Sequence, residues 1–391
     1  MAARVPALIT PALLEWARRT AGFSVDAAAE RLAVASDRVT AWEHGREGLS
    51  VAQLKKLASL YKRPLALFYL PAPPKDFTPM KDFRRLPSAT AALSAELLLE
   101  VRRARQRRDV ALDLAEALEQ TPKTFPIRAT LDEIPANVAE RLRAALGVTL
   151  TQQEGWADAY EALREWRAAA ERLGVLVFRA QHLDPKESRG FSLGEEKFPV
   201  VVFSSKDAPA ARVFTIVHEL AHVALRSGGV CDFDEVRAAS SFEERTEVFC
   251  NAVAGETLIP LTALLNAPEV RTHAAGTSWS DDSLRAMARR FGVSREVTLR
   301  RLVAAQKASL SMYQTKRREW QAIQQPKPGG GFERQDEKAL RENGRLYAQL
   351  VVASYHEKTI SVGEASDFLN VKTRYIDAVE RALQMSRSSF A

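Results

Sequence analysis

Val213-Phe214-Thr215-Ile216-Val217-His218-Glu219-Leu220-Ala221-His222 is the stretch on which the fold turns. Val213, Ile216, Val217, Leu220, Ala221 and Ala224 recur with helical period, so the spacing predicts a helix over 209–226. His218 and His222 are about one turn apart and share a face of it. Two imidazoles so placed are the pair a helix uses to hold zinc. Glu219 stands beside the first without being a ligand, where it can take a proton from a water attacking a peptide carbonyl. The pattern is that of a zinc-dependent peptidase. Ahead of it, Pro199-Val200-Val201-Val202-Phe203 reads as a buried strand.

Two histidines leave zinc under-coordinated, so a third protein ligand is expected, with a fourth position open. A second helix is expected over 241–259, and Glu247 on it lies 25 residues after His222, far enough for an antiparallel return. Glu243, Glu244, Asp232 and Asp234 compete by residue type. Glu247 is preferred because Val248, Phe249, Ala252 and Val253 around it are apolar, and a buried carboxylate needs a partner such as a metal. Glu243 and Glu244 suit a solvated first turn. Asn251, one turn after Glu247, either hydrogen-bonds the site or packs the helix. Cys250 reads as a small core residue. His273, Tyr160, Arg189 and Arg212 qualify by type as transition-state electrophiles, and spacing singles out none of them.

Together with Glu247-Val248-Phe249-Cys250-Asn251-Ala252-Val253-Ala254 and Leu258-Ile259-Pro260, the opening stretch resembles the ImmA/IrrE family of metallopeptidases. Arg189-Gly190-Phe191 and Pro199 are similar to that family too. The resemblance spans about 150–305. It implies a zincin-like fold, Zn2+ held by His218, His222 and Glu247, Glu219 as general base, and a transcriptional repressor as substrate, in mobile elements or stress responses.

With 391 residues there is room for two or three domains. A net charge of +7 permits a polyanionic partner without requiring one. Cys231 and Cys250 are the only cysteines, so no disulfide framework is implied and a reducing cytoplasm is expected. The amino terminus lacks the apolar core of a signal peptide, since Glu15, Arg18 and Arg19 soon intervene. No segment reaches the roughly 20 apolar residues of a membrane span.

Residues 8–72 read as short helices. Ser24 is expected to cap a helix over 25–32, and Ser36 one over 37–44 closed by Gly45. Val39, Trp42, Leu49, Leu54, Leu57 and Leu60 supply a small core. Ala28-Ala29-Glu30-Arg31-Leu32-Ala33-Val34-Ala35 and Val39-Thr40-Ala41-Trp42-Glu43-His44-Gly45 resemble the XRE/Cro-type helix-turn-helix family. By position, that resemblance turns Ser36, Asp37, Arg38 and Thr40 toward DNA bases or phosphates and Arg46 toward the backbone. Val25 departs from it, standing where such domains commonly carry a glutamine that grips DNA. Residues 1–75 carry 11 Lys/Arg against 6 Asp/Glu, which favours a phosphate backbone. The same fold also serves as a protein-docking module.

Pro71-Ala72-Pro73-Pro74 begins a linker, and Asp82-Phe83-Arg84 resembles a connector between two such modules. A helical linker region is expected over 73–150, with a long helix over 91–118 whose arginines form a solvated face partnered by Glu96, Glu100 and Asp109. A helix over 157–173 and a strand over 175–178 open a peptidase domain spanning 151–310. Residues 284–302 imitate a second helix-turn-helix, which in this family completes the catalytic domain. A linker over 324–331 precedes a helical segment, 332–391, suited to a cap, substrate docking or a homodimer contact.

The class expected is α+β, mainly α with a small sheet. The leading expectation is a cytoplasmic zinc endopeptidase acting on a regulatory protein, joined to a DNA-binding domain. Its rivals are a transcriptional regulator with a non-catalytic sensor domain and an antitoxin-like module with a structural metal.

Overall fold

A computed structural model describes residues 6–74, 93–226, 242–273, 278–322 and 334–385. The stretches 82–84, 231–234 and 324–331 singled out by sequence lie outside them. The described residues are mainly helical with one small three-stranded sheet, the α+β class expected. Two compact units divide between Arg105 and Gln106.

In the first unit, α1 (Ala12–Thr20), α2 (Val25–Leu32), α3 (Ser36–Glu43) and α4 (Val51–Leu60) enclose Leu13, Leu14, Val39, Trp42, Leu49, Leu54, Leu57, Tyr61 and Phe68. Leu60 is only partly buried at the edge of this core. Ser24 caps α2 as expected, its Oγ accepting the Ala27 amide at 3.0 Å. Ser36 does not cap α3. It lies inside the helix, behind Ala35, and its hydroxyl donates to Asp26 Oδ1 at 2.5 Å, because the tight α2–α3 turn brings that carboxylate closer than the helix amides. Glu43 at the end of α3 is buried and takes a two-pronged ion pair from Arg18, at 2.7 and 2.8 Å.

The division between the units falls within α5 (Ala95–Ala117). Its arginines do not form the expected solvated face. Arg102 donates to the carbonyls of Thr20 and Lys62, Arg108 to those of Phe198 and Lys197, and Arg107 lies 5.0 Å over the Phe178 ring. Long aliphatic stems let these residues pack while their forks reach backbone carbonyls of other elements. Arg103 keeps an expected partner on the helix, Glu100 at 3.3 Å, and Arg108 lies 4.0 Å from another, Asp109.

The second unit continues with α6 (Pro135–Leu146), α7 (Leu150–Glu154) and α8 (Ala159–Arg172), which leads into β1 (Leu176–Ala180), β2 (Gly190–Leu193) and β3 (Val200–Ser204). The sheet order is β1-β3-β2; β1 runs parallel to β3, with Leu176 opposite Val200, and β2 runs antiparallel, with Gly190 opposite Phe203. All of β3 is buried, as its run of valines requires. Then α9 (Pro209–Leu225), the helix of the opening stretch, is buried at every residue from Arg212 to Ala224 between α8, the sheet and α10 (Phe242–Leu258). Short helices α11 (Leu261–Asn266) and α12 (Pro268–Arg271) follow. The imitation helix-turn-helix is the pair α13 (Asp281–Arg290) and α14 (Arg295–Ala304), whose Leu284, Met287, Phe291, Leu299 and Leu302 close the main core.

After α15 (Leu310–Ala322) come α16 (Gln335–Asn343), α17 (Arg345–His356), α18 (Val362–Leu369) and α19 (Ile376–Met385). They belong to the second unit, with α16 packed on β1 and α17 on α8. The buried Glu171 carboxylate accepts the Arg345 amide at 3.1 Å at the start of α17, an acid placed at a helix N-terminus from another element.

Gly190 sets how closely β2 approaches α9. A Cβ there would overlap the Thr215 methyl and stand 2.6 Å from the Val202 carbonyl oxygen. Both neighbours are held by packed backbone, so Gly190→Ala is expected to destabilise the unit by about 1–3 kcal/mol, read as a lower urea midpoint at unchanged slope. An unchanged midpoint would show that β2 slides freely against the helix.

Candidate metal centre

His218 and His222 project from the buried face of α9, and their Nε2 atoms lie 3.1 Å apart. Glu247 comes from α10, which packs along α9, and offers one carboxylate oxygen to each ring: Oε2 is 3.3 Å from His218 Nε2 and Oε1 is 3.3 Å from His222 Nε2. Ligand atoms of all three residues fall within 4.8 Å of one another. Bonds of about 2.0–2.1 Å to a tetrahedral ion separate ligand atoms by about 3.3 Å. Two imidazoles and one carboxylate at this spacing therefore fit a zinc-sized cation.

Glu247 is the competitor that reaches the histidines. Its helix is less buried than the apolar neighbours implied: Phe249 and Val253 point into the core, but Val248 is 44% exposed. Glu243 and Glu244 lie half-buried in the first turn of α10. Asp232 and Asp234 lie outside the described residues. Cys250 is fully buried, and burial pushes its thiol up, so it stays protonated as a core residue should. The Asn251 Oδ1 is buried and accepts no hydrogen bond among the described residues.

Glu219 is completely buried, on the side of α9 that β2 covers; the Cβ position of Gly190 is 3.5 Å from its Oε1. Of the electrophile candidates, His273 stacks on Trp279 at 4.2 Å and its Nδ1 faces the Glu269 carbonyl. Tyr160 is 65% exposed, and Arg212 donates to the Ser205 carbonyl at 2.6 Å. Arg189, just before Gly190, lies 3.8 Å from Asp207.

Burial holds the His218 imidazole down to about 4, helped by the charges of His222 and Arg300 and opposed by Glu247. Burial alone would raise the Glu247 carboxyl, but the two histidines outweigh it and hold it well below the usual carboxylate range. Unfolding frees His218 to titrate near its ordinary value of about 6.5. Between about pH 6.5 and 4 the unfolded chain thus binds a proton that the folded chain refuses, and stability falls as pH falls through that window. The depressed Glu247 acts in the same sense below its ordinary value. The metal-free protein is expected to lose on the order of 2–3 kcal/mol between about pH 7 and about pH 4.5. Urea midpoints along that range check this, and a midpoint that rises on acidification would mean that His218 is charged in the fold.

Arg300 and Tyr313 went unnoticed in the sequence. Arg300 is one of four charged residues from Arg295 to Arg301, where helical period alone does not separate it from its neighbour Arg301, which pairs with Glu256.

Residues 170–303 match a peptidase family, described as the IrrE N-terminal-like domain. The match covers β1 to α14 but for its last residue, and so takes in the three donors and Glu219. It points to a metallopeptidase-type fold for this part of the chain. Among curated proteins, none matches. No described helix is long and apolar enough to cross a membrane.

Of the five positions carried over toward DNA, three are committed within the first unit. Ser36 donates to Asp26, Thr40 Oγ1 donates back to the Ser36 carbonyl at 3.2 Å, and Arg38 pairs with Glu47 at 2.7 Å with its guanidinium 5.4 Å over Trp42. Asp37 and Arg46 are exposed.

Proposed function

We propose that this chain is a zinc-dependent endopeptidase that cleaves a regulatory protein, a transcriptional repressor in a stress or mobile-element response, and works in the cytoplasm. The observation that carries the proposal is the convergence of His218, His222 and Glu247 from two helices, with the buried Glu219 carboxylate beside them. Zinc held there supplies Lewis acidity, which polarises the scissile carbonyl and eases deprotonation of water. Glu219 takes that proton and returns it to the leaving amine. Burial of Glu219 under β2 keeps bulk water from competing for the carboxylate.

The first unit supports a further part of the proposal: the helix-turn-helix concentrates the enzyme on DNA where its substrate sits. The basic excess of residues 1–75 and the exposed Arg46 favour a phosphate backbone. With Arg38 committed to Glu47, base reading is weak and positioning dominates.

Co-expression with the products of neighbouring genes, followed by mass spectrometry of fragments, tests the enzyme. A defined cut that requires zinc is expected. Stoichiometric zinc with every neighbour intact would instead favour a regulator whose metal senses or braces. Footprinting on upstream DNA tests the first unit separately.

A further inference from the structure

The proposed contact with DNA leaves one cleft of the first unit unused. It has a volume of about 740 Å³ and lies where the end of α2, the middle and end of α4 and the start of α5 meet. The helix that would face bases, α3, contributes no residue to it. The partly buried lining is apolar. Phe23, Leu32 and Leu60 pack against the small core yet are only partly covered by it, and the Phe23 ring is held 6.0 Å from that of the buried Tyr61. Three large apolar side chains sharing one cleft are surface that a partner can still take out of water.

The exposed lining is basic. Arg31, Lys55 and Lys56 form no ion pair among the described residues, and Lys62 lies 3.7 Å from Glu96, the one carboxylate of the cleft. A cation near a helix C-terminus balances the carbonyls there, and Arg31, in the last turn of α2, serves that end. Lys55 and Lys56 have no such duty. They sit in the middle of α4, whose last turn holds no basic residue, and the Lys62 carbonyl just beyond that helix is taken by Arg102. Four cations against one carboxylate, with about half a negative charge at each of two helix ends, leave the cleft at a net charge of about +2.

An anion is therefore favoured, and the apolar lining decides its kind. A phosphate backbone brings charge but no apolar group, so a duplex would leave Phe23, Leu32 and Leu60 wet. The volume falls within the ~300–1,000 Å³ that bound small molecules fill, room for a few side chains and not for a double helix. A peptide brings both carboxylates and an apolar anchor. We propose that this cleft docks an acidic segment of a protein partner, with a phenylalanine or leucine of that segment against Phe23, Leu32 and Leu60 and its carboxylates meeting Arg31, Lys55 and Lys56. Such docking needs neither zinc nor cleavage, so its failure would leave the peptidase reading untouched.

The test uses the full chain and fluorescein-labelled peptides followed by anisotropy. One carries a central phenylalanine between runs of glutamate; in a second the glutamates become glutamine, and in a third the phenylalanine becomes alanine. The first is expected to bind, and each replacement to weaken binding about 10-fold or more, through loss of the set of charge pairs or of the buried ring. Lys55→Glu combined with Lys56→Glu, both on the exposed side of α4 where glutamate is a good helix former, should weaken the first peptide about 10-fold as well. An excess of unlabelled DNA duplex should leave that peptide bound. Failure of the first peptide to bind, or equal affinity for the alanine peptide as diffuse charge attraction would give, would overturn the proposal. Displacement by the duplex would assign the cleft to nucleic acid and overturn it too. Should the double variant not fold, a photo-reactive phenylalanine in the first peptide decides the same point: crosslinks to Phe23, α2 and α4 are expected, and crosslinks confined to other elements would count against the site.

Discussion

Glu219→Gln is expected to leave zinc bound and the fold intact while slowing substrate cleavage by about 10²–10⁴-fold, the span of a positioned proton carrier. The substitution keeps shape and volume and removes only basicity. Glu219 is not among the three residues whose ligand atoms cluster, so its amide should not disturb the metal. Its side chain is completely buried between α9 and β2, while Glu247 is held by the histidines at 3.3 Å. Fragment yield from the co-expressed substrate, measured beside zinc content, checks this. Cleavage at the parent rate would remove Glu219 from the chemistry and leave the buried acid without its proposed purpose.

Glu247→Ala should have the larger effect on the metal itself. Without it the ion keeps two imidazoles from a single helix, and α10 contributes no donor. Loss of an outer-sphere partner typically costs 10–100-fold in affinity, so loss of a direct ligand should cost more than about 100-fold. Zinc retained after dialysis against a graded chelator series measures this. Undiminished retention would mean that the ion sits elsewhere. Glu247→Asp tests reach: one methylene shorter, it falls short of two ring nitrogens that the parent carboxylate meets at 3.3 Å.

Much of the candidate centre was legible because it is local. Helical period alone brings His218 and His222 to one face, and the apolar run after Glu247 marks a helix able to return across them. What was illegible depends on tertiary packing. The four-residue β2, which opens on Gly190, is too short to announce itself, yet it covers Glu219. Ser36 has the composition of a cap, but a carboxylate ten residues earlier claims its hydroxyl. The α5 arginines look solvated until the carbonyls they reach are known, and those lie up to 90 residues away. Arg300 and Tyr313 meet because α15 folds back on α14, a turn that no periodicity announces.

The acid at the head of α17 carries one more implication. Glu171 is sealed from water, burial pushes its carboxyl up, and its relief comes from Arg167 and from the amides of Arg345 and Leu346. The tail helices are therefore a keystone and not an appendage: a version of the protein shortened ahead of them would take from Glu171 the amides that hold its carboxylate, and strip from β1 the helix packed on it.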